Sequence, residues 1–147
     1  MNREAITEAL YQRFAEMEGL RSTGRKPKTF DQISPGECPA LFLGVGSSAS
    51  TGNPGPRAMW RLEFIVYLYC HDGSAAGPSS QINDYLGRID AACRATSAEM
   101  LTPGTGPDMT TLGGLVLYAR PVSVETDEGS FGDRGVAIVT IEVLTAG

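Results

Sequence analysis

The chain has 147 residues, of which 41% are hydrophobic and 20% charged, as in globular rather than disordered proteins. Its net charge of −5 and pI of about 4.8 argue against affinity for a nucleic-acid backbone. The longest apolar run, residues 64–70, is far shorter than the roughly 20 residues that span a bilayer. We therefore expect a soluble protein, made in the cytoplasm without a secretory signal and folded as one domain over residues 1–147.

The first predicted element is an amphipathic helix over residues 4–20, for which Asn2 is a suitable N-cap. Its apolar side chains recur at helical spacing, at Ile6, Leu10, Phe14 and Met17. Arg13 returns to nearly the same face as Ile6. Either the Arg13 stem lies along the rim of the core, or this edge of the helix meets another subunit.

A connector over residues 21–37 follows, and it carries four cations, Arg21, Arg25, Lys26 and Lys28. Without interleaved aromatic residues, these cations favour a solvated or partner-facing loop over a nucleic-acid site. Residues 38–45 are predicted to form a strand. The Gly-, Pro- and Ser-rich residues 46–58 form a long loop to the next strand, so the two strands are expected to pair in antiparallel fashion.

The central element is the strand predicted over residues 60–71, which contains neither Gly nor Pro. Successive strand side chains point to opposite faces. One face is therefore apolar throughout, with Trp60, Leu62, Phe64, Val66, Leu68 and Cys70. The other begins charged and becomes amphipathic, with Arg61, Glu63, Ile65, Tyr67, Tyr69 and His71. We expect the first face to lie on the core and the second to be partly solvated.

A second helix is predicted after a loop at residues 72–78, with Ser79 or Ser80 as its cap. One face is apolar, with Ile82, Tyr85, Leu86, Ile89, Ala92 and Cys93. Gly87 and Arg88 lie on the outer face, where a glycine costs helix stability and suggests the close approach of another surface. Residues 99–111 form a third long loop.

The last part of the chain predicts a strand over residues 115–120, broken at Pro121, and a final strand over residues 136–144. Residues 122–135 between them are expected to leave the sheet as an extended arm with a polar, acidic tip. The fold prediction is thus α+β, in the order α-β-β-α-β-β. Two helices pack on one face of a four-stranded mixed sheet, with long loops and the β-arm. The second helix would cross over, in the right-handed sense, between two parallel central strands.

No residue pattern in the chain indicates catalysis, a cofactor or a metal. The three cysteines, Cys38, Cys70 and Cys93, are widely spaced and are expected to be buried free thiols. The single histidine, His71, follows Cys70 directly, and neighbouring strand residues point to opposite faces. The acidic residues of the arm, Asp127, Glu128 and Asp133, lack the spacing of a calcium loop. We expect a non-enzymatic protein.

The order of the features resembles the tail terminator (tail completion) proteins of long-tailed bacteriophages. The resemblance covers essentially the whole chain. It rests on the first helix, residues 38–43, the strand that begins at Trp60, the helix around residues 82–90 and residues 111–115, followed by the acidic arm and the last strand.

This resemblance implies a structural virion protein at the head-proximal end of the tail, assembled in the host cytoplasm. Such proteins form a hexameric ring that caps the tail tube, ends its elongation and offers a surface to the head connector. Ring contacts join two different surfaces of neighbouring subunits. We assign these surfaces to Arg13, Gly87, Arg88, Asp127, Glu128, Phe131, Asp133 and Arg134.

The implied partners are other copies of the chain, the tail tube protein and the connector proteins. Six copies at −5 each carry −30, so DNA is expected to pass through a lumen lined by acidic residues without specific binding. Residues 46–58 and the arm are expected to order on the tail tube.

Three alternatives remain open. The first is another connector, neck or minor tail protein. The second is a cytoplasmic module that binds a small molecule or a metal through a surface of Trp60, Tyr67 and Tyr69. The third is an enzyme that uses Cys70 or His71.

Overall fold

The computed structural model describes residues 1–52, 58–99 and 108–147, and for residues 128–131 it describes the backbone only. In chain order the helices and strands are α1 (Arg3–Ala15), β1 (Ser22–Gly24), β2 (Ala40–Thr51), β3 (Met59–His71), α2 (Ser79–Ala92), β4 (Tyr118–Phe131) and β5 (Arg134–Ala146), with two 3₁₀ helices, Phe30–Gln32 and Pro35–Glu37, before β2. The strands form one mixed sheet in the order β1-β2-β3-β5-β4, in which only β1 and β2 are parallel neighbours. The α+β class is as predicted.

Strand β3 lies at the centre of the sheet, as the sequence indicates. It pairs with β2 on one side and with β5 along its whole length on the other, from Met59 opposite Ala146 to His71 opposite Arg134. The side chains predicted for its core face, from Leu62 to Cys70, are all buried. The antiparallel pairing of β2 and β3 is confirmed.

Both helices cover this core face. Ile6, Leu10 and Phe14 of α1 pack with Phe64 and other buried side chains of the sheet. Ile82 and Tyr85 of α2 pack against Leu68, Cys70 and Ala137. Among the described residues, no helix has the length and apolar character needed to cross a membrane.

The helix ends differ from the prediction in two places. Asn2 caps α1 as predicted, because its side-chain oxygen accepts from the Ala5 amide at 3.0 Å. The helix ends at Ala15, however, rather than near residue 20. The N-cap of α2 is Pro78 and not a serine.

The opposite face of the sheet is covered at one end by the connector. Ile33 and Phe30 pack there with Ala40, Phe42 and Tyr69. The Tyr69 hydroxyl donates to the Lys28 carbonyl at 2.6 Å, and its ring meets Phe30 edge-on at 5.6 Å between centroids. This contact makes Tyr69 a buried residue, whereas the sequence predicted it on the partly solvated face.

The sheet has five strands instead of the four that were predicted. The additional strand is β1, whose residues pair in parallel with Ala40, Leu41 and Phe42 of β2. Ser22, Thr23 and Gly24 carry no apolar alternation, so no pattern separates them from the connector. Backbone pairing with β2 alone defines this strand.

The prediction of an arm that leaves the sheet is wrong. Residues 118–127 pair with β5, which itself pairs with β3 as far as Arg134, so β4 is an integral edge strand. Pro121 does not end it, because an edge strand tolerates a residue without an amide proton. The ladder shifts register after Pro121 and continues from Ser123.

The loop at residues 46–58 is shorter than predicted, because β2 runs on to Thr51. The register of β2 against β3 shifts between Val45 and Ser48. A Cβ at Gly46 would lie only 3.0 Å from the Glu63 carbonyl oxygen. Glycine therefore permits the close approach of β2 to β3 at this bulge. Residues 53–57 of this loop and residues 100–107 of the third loop lie outside the described residues.

Helix α2 connects β3 to β4, and these strands run in the same direction because both are antiparallel to β5. They are not neighbours, since β5 lies between them. The predicted crossover by α2 between two strands of the same direction is therefore present, but only β3 is central, because β4 lies at the edge of the sheet.

Candidate functional site

The free edge of β4 is the most unusual surface of the described chain. At Ala119 the edge is covered, because the Ala119 amide donates to the Thr110 carbonyl at 3.0 Å. Beyond Pro121 no described strand pairs with its outer side. Val122 and Val124 are 46% and 50% exposed on this edge. Long apolar edges are ready to pair with another chain, and proteins usually protect them.

Further exposed apolar side chains precede this strand. Leu115 and Leu117 are both exposed, and together with Met1 they line a cavity of about 200 Å³. Four of the six large apolar side chains that are exposed in the described chain thus lie within residues 115–124. Such clustering typically marks a contact surface rather than scattered surface residues.

A carboxylate network occupies the outer sheet face beside this edge. Glu142 is 14% exposed and accepts from the Tyr118 hydroxyl at 2.8 Å and from Arg120 Nη2 at 3.1 Å. Arg61 Nε lies 3.2 Å from its second oxygen. Burial alone would raise the pKa of Glu142, but these hydrogen bonds and charges outweigh it, and the pKa lies below its ordinary value. The network holds β3, β4 and β5 together.

The opposite edge of the sheet carries the connector cations. Arg25 binds Glu4 at 2.6 Å and Glu8 at 3.0 Å, and Lys28 lies 3.8 Å from Glu37. Arg21 and Lys26 are exposed and form no ion pair with another described residue. The cations predicted as solvated or partner-facing therefore divide into a paired and an unpaired set.

Arg13, proposed for a subunit contact, has partners in its own chain. Its guanidinium donates to the Ala92 carbonyl at 2.6 and 3.1 Å and to the Arg94 carbonyl at 3.1 Å. These carbonyls lie at the C-terminal end of α2, where helix carbonyls lack intrahelical donors. Arg13 thus lies at the rim of the core, and the contact of this edge with another subunit stays a prediction.

Gly87 and Arg88 are both exposed on α2, as predicted. No described atom lies within 4 Å of a Cβ placed at Gly87, so packing among the described residues does not explain the glycine. Arg88 donates to the Glu18 carbonyl at 2.6 Å, pairs with Asp84 at 3.1 Å and stacks on the Tyr85 ring. Its role in the described chain is to join α2 to the end of α1.

The remaining proposed contact residues lie around the β4–β5 turn. The exposed Asp133 accepts from the Asp72 amide through its backbone carbonyl at 2.8 Å. Arg134 lies over the Phe30 ring, 5.5 Å from its centroid, and so joins the connector to the sheet. Asp127 is half-buried, opposite Val136. The side chains of Glu128 and Phe131 lie outside the described residues. The use of these residues as interfaces stays a prediction.

Cys70 and His71 do not form a reactive pair. Burial raises the pKa of Cys70 and of Cys93 to about 12, and it also raises the pKa of the half-buried Cys38. Cys70 belongs to the core, while His71 lies on the outer face beside Cys38 and Arg134. No group of three or more His, Cys, Asp or Glu side chains in the described part of the chain is arranged to hold a metal.

Glu99 is a residue whose role the sequence does not indicate. Its carboxylate accepts from the Thr111 amide and hydroxyl, from the Thr110 hydroxyl at 2.9 Å and from the Thr96 amide at 3.2 Å. Burial alone would raise its pKa, but these bonds lower the pKa to about 2. The carboxylate ties the segment after α2 to the segment before β4. It also lines a cavity of about 580 Å³, together with Arg13 and Gly113.

The surface suggested for a small ligand is not formed. Trp60 packs against the core on one face of β3, whereas Tyr67 and the buried Tyr69 belong to the cluster on the other face. The alternative of a ligand module built on these three aromatic residues is therefore wrong.

No family model and no curated protein matches this sequence. Among solved structures, the fold is similar to a chain of the virion of a native gene transfer agent particle. The alignment covers 100% of both chains with a TM-score of 0.57 and 8% sequence identity. A second solved structure, whose chain has no descriptive name, gives a TM-score of 0.46 at 18% identity over 99% of this chain and 92% of its own, and it supports no argument. The first likeness shows a shared fold.

Proposed function

We propose that this protein is a structural component of a phage or phage-like virion, and specifically the terminator that caps the tail tube. The observation that carries the proposal is the likeness in fold to a chain of a gene transfer agent virion, which extends over the full length of both chains. The sequence resemblance to tail terminators supports the same assignment independently, because it rests on the succession of motifs and not on the structure.

In this proposal the protein acts without catalysis, as a hexameric ring at the head-proximal end of the tail. Its partners are its own copies, the tail tube protein and the connector proteins. The net charge of −5 per chain repels DNA, so DNA passes through the ring without specific binding. Acidic residues are proposed to line its lumen.

The alternative within the virion is a connector or neck protein. The structure that shares the fold is a whole virion, so a shared fold is equally compatible with a neighbouring position. The two positions differ in what their loss does to the tail. A terminator limits a polymer, whereas a connector joins finished parts.

The test is to delete the gene in a particle-producing host and to measure tail length by electron microscopy. If the protein is the terminator, the deletion strain is expected to produce headless tails of uncontrolled length. Expression of the wild-type chain in that strain is then expected to restore a uniform tail length. Tails of normal length beside separate heads would assign the protein to the connector. Intact, infectious or DNA-transferring particles in the deletion strain would contradict any virion role.

A further inference from the structure

The two edges of the sheet differ in kind and complement each other. The β4 edge beyond Pro121 is unpaired among the described residues, and it exposes Val122 and Val124. At the other edge β1 pairs with β2 only as far as Phe42. Val45 lies on β2 beyond that point and is 50% exposed. Each edge thus combines backbone that no other described strand pairs with and an exposed apolar side chain, and at the β2 edge the Gly46 carbonyl accepts from Arg3 Nη2 at 3.4 Å.

The charges at the two edges have opposite sign. The exposed Glu125 lies on β4, with Asp127 further along the strand and Asp133 at its turn. Arg120, the cation of this strand, is bound to Glu142. At the other edge Arg21 and Lys26 are exposed on either side of β1, without an ion pair to another described residue. One edge is therefore acidic and the other basic.

We infer that the β4 edge of one copy docks against the β1–β2 edge of the next copy. The acidic side chains of β4 then lie beside Arg21 and Lys26, and Val122 and Val124 meet the apolar part of the β2 edge at Val45. The two surfaces are different and lie at opposite edges of one sheet, so the contact between copies is head-to-tail. Repeated contacts of this kind form a closed ring or an open helix, depending on the rotation between successive copies.

This inference deepens the proposed function by naming the surfaces of the ring, and only its identification with a tail ring rests on that proposal. The self-association itself follows from the sheet edges and needs no tail tube. Pairing of exposed edges provides affinity through backbone hydrogen bonds, and the charges set the order of the partners.

The decisive experiment uses charge reversal. Light scattering over a concentration series measures the self-association of wild type, Glu125→Lys and Lys26→Glu. Each single variant places like charges across the contact, and we expect the apparent Kd to rise about tenfold or more. Glu16→Lys makes the same change of charge as Glu125→Lys, but at the exposed end of α1, so it is the matched control for that variant and is expected to associate like wild type.

Mixing the two variants tests the head-to-tail geometry. In an equimolar mixture the reversed edge of one variant faces the reversed edge of the other, so association is expected to return towards the wild-type Kd. A symmetric contact between two β4 edges predicts a different result: Glu125→Lys and Lys26→Glu would each associate like wild type, and the mixture, with opposite charges at position 125 of the two copies, would associate more tightly than either variant alone. That result would overturn the inference.

A second variant tests the strand edge without reversing a charge pair. Val124→Lys places a charge on the exposed edge, a device by which edge strands avoid pairing. We expect it to remain monomeric at concentrations where wild type associates, while its thermal unfolding stays close to wild type because the side chain is exposed. Val122→Lys repeats the test should Val124→Lys fail to fold.

The failures of the two proposals are distinguishable. A wild-type chain that stays monomeric up to its highest soluble concentration overturns the edge contact, as does association that is unchanged in Val124→Lys and Val122→Lys. Neither result affects the outcome of the gene deletion, which tests the virion role separately. Conversely, head-to-tail assembly together with normal particles in the deletion strain would overturn the proposed function alone.

Discussion

Glu99 illustrates how one carboxylate can join the described residues on the two sides of a loop. It receives hydrogen bonds from Thr96 on one side and from Thr110 and Thr111 on the other, and so spans the third loop of the chain. A carboxylate with several donors is stabilised in its charged form. Nothing in the spacing of one glutamate and three threonines predicts this contact, because the partners are brought together by α2 and β4.

Replacing this carboxylate by an amide is expected to destabilise the fold. Glu99→Gln keeps the shape but removes the charge that accepts from the threonines, which costs about 1.5–3 kcal/mol of unfolding free energy. Urea unfolding measures the change. Glu16→Gln at the exposed end of α1 is the control, and equal stability of both variants would show that the loop is held by other contacts.

The same group predicts a pH dependence. The pKa of Glu99 is about 2 in the folded chain against an ordinary value of 4.5, so the folded state binds its proton less readily than the unfolded state. Its contribution is present above pH 4.5 and is lost as the pH falls towards 2. Wild type should therefore lose more stability than Glu99→Gln over this window. Parallel pH profiles of the two proteins would contradict the assignment.

The burial and pKa values of the three cysteines predict the order in which an alkylating reagent modifies them. Thiolates react, and a pKa of about 12 leaves Cys70 and Cys93 protonated near neutral pH. Cys38 is only half-buried. Mass spectrometry after alkylation of the native protein should find Cys38 modified first, and Cys38→Ser should abolish the early modification. Early labelling of Cys70 or Cys93 would show that the core opens locally.

At the scale of elements, Arg13 joins the C-terminal end of α2 to α1 within one chain. Arg13→Met retains the apolar stem but leaves the Ala92 and Arg94 carbonyls without their donor, with an expected loss of about 1–3 kcal/mol. Arg94→Met is the control, since it removes only an exposed i,i+4 pair with Asp90. Urea unfolding and light scattering separate the two roles. Weakened association at unchanged stability would favour a subunit contact instead.

Elements with a strong periodic pattern were predictable, and those defined by backbone pairing were not. The buried alternation of β3 and the apolar face of α2 identify both elements, because each buries one consistent face. β1 lacks such a pattern, and the polar end of β2 is paired although its composition indicates a loop. For β4, Pro121 suggests an end, but an edge strand accommodates it. The candidate site at the β4 edge was likewise not predictable from the sequence, because the order of the strands in the sheet decides which strand lies at an edge.

At the scale of the whole molecule, the sheet is asymmetric. The helices cover one face of the sheet, and the connector covers one end of the opposite face. The two edges of the sheet carry exposed side chains of opposite charge. The fold likeness places no residue at an interface, so the assignment of surfaces depends on this asymmetry. Net charge and edge charge then have opposing effects on assembly: the first drives copies apart over long distances, and the second attracts them locally.

Salt separates these two effects. Long-range repulsion between chains of net charge −5 is already largely screened at about 0.15 M, where the Debye length is about 8 Å, whereas contact pairs respond up to about 1 M. If the edge charges control assembly, raising sodium chloride over this range should weaken wild-type association several-fold. Glu125→Lys should lose this dependence or reverse it. Stronger wild-type association at high salt would instead mean that the exposed valines dominate the contact, and that the edge charges serve only to orient it.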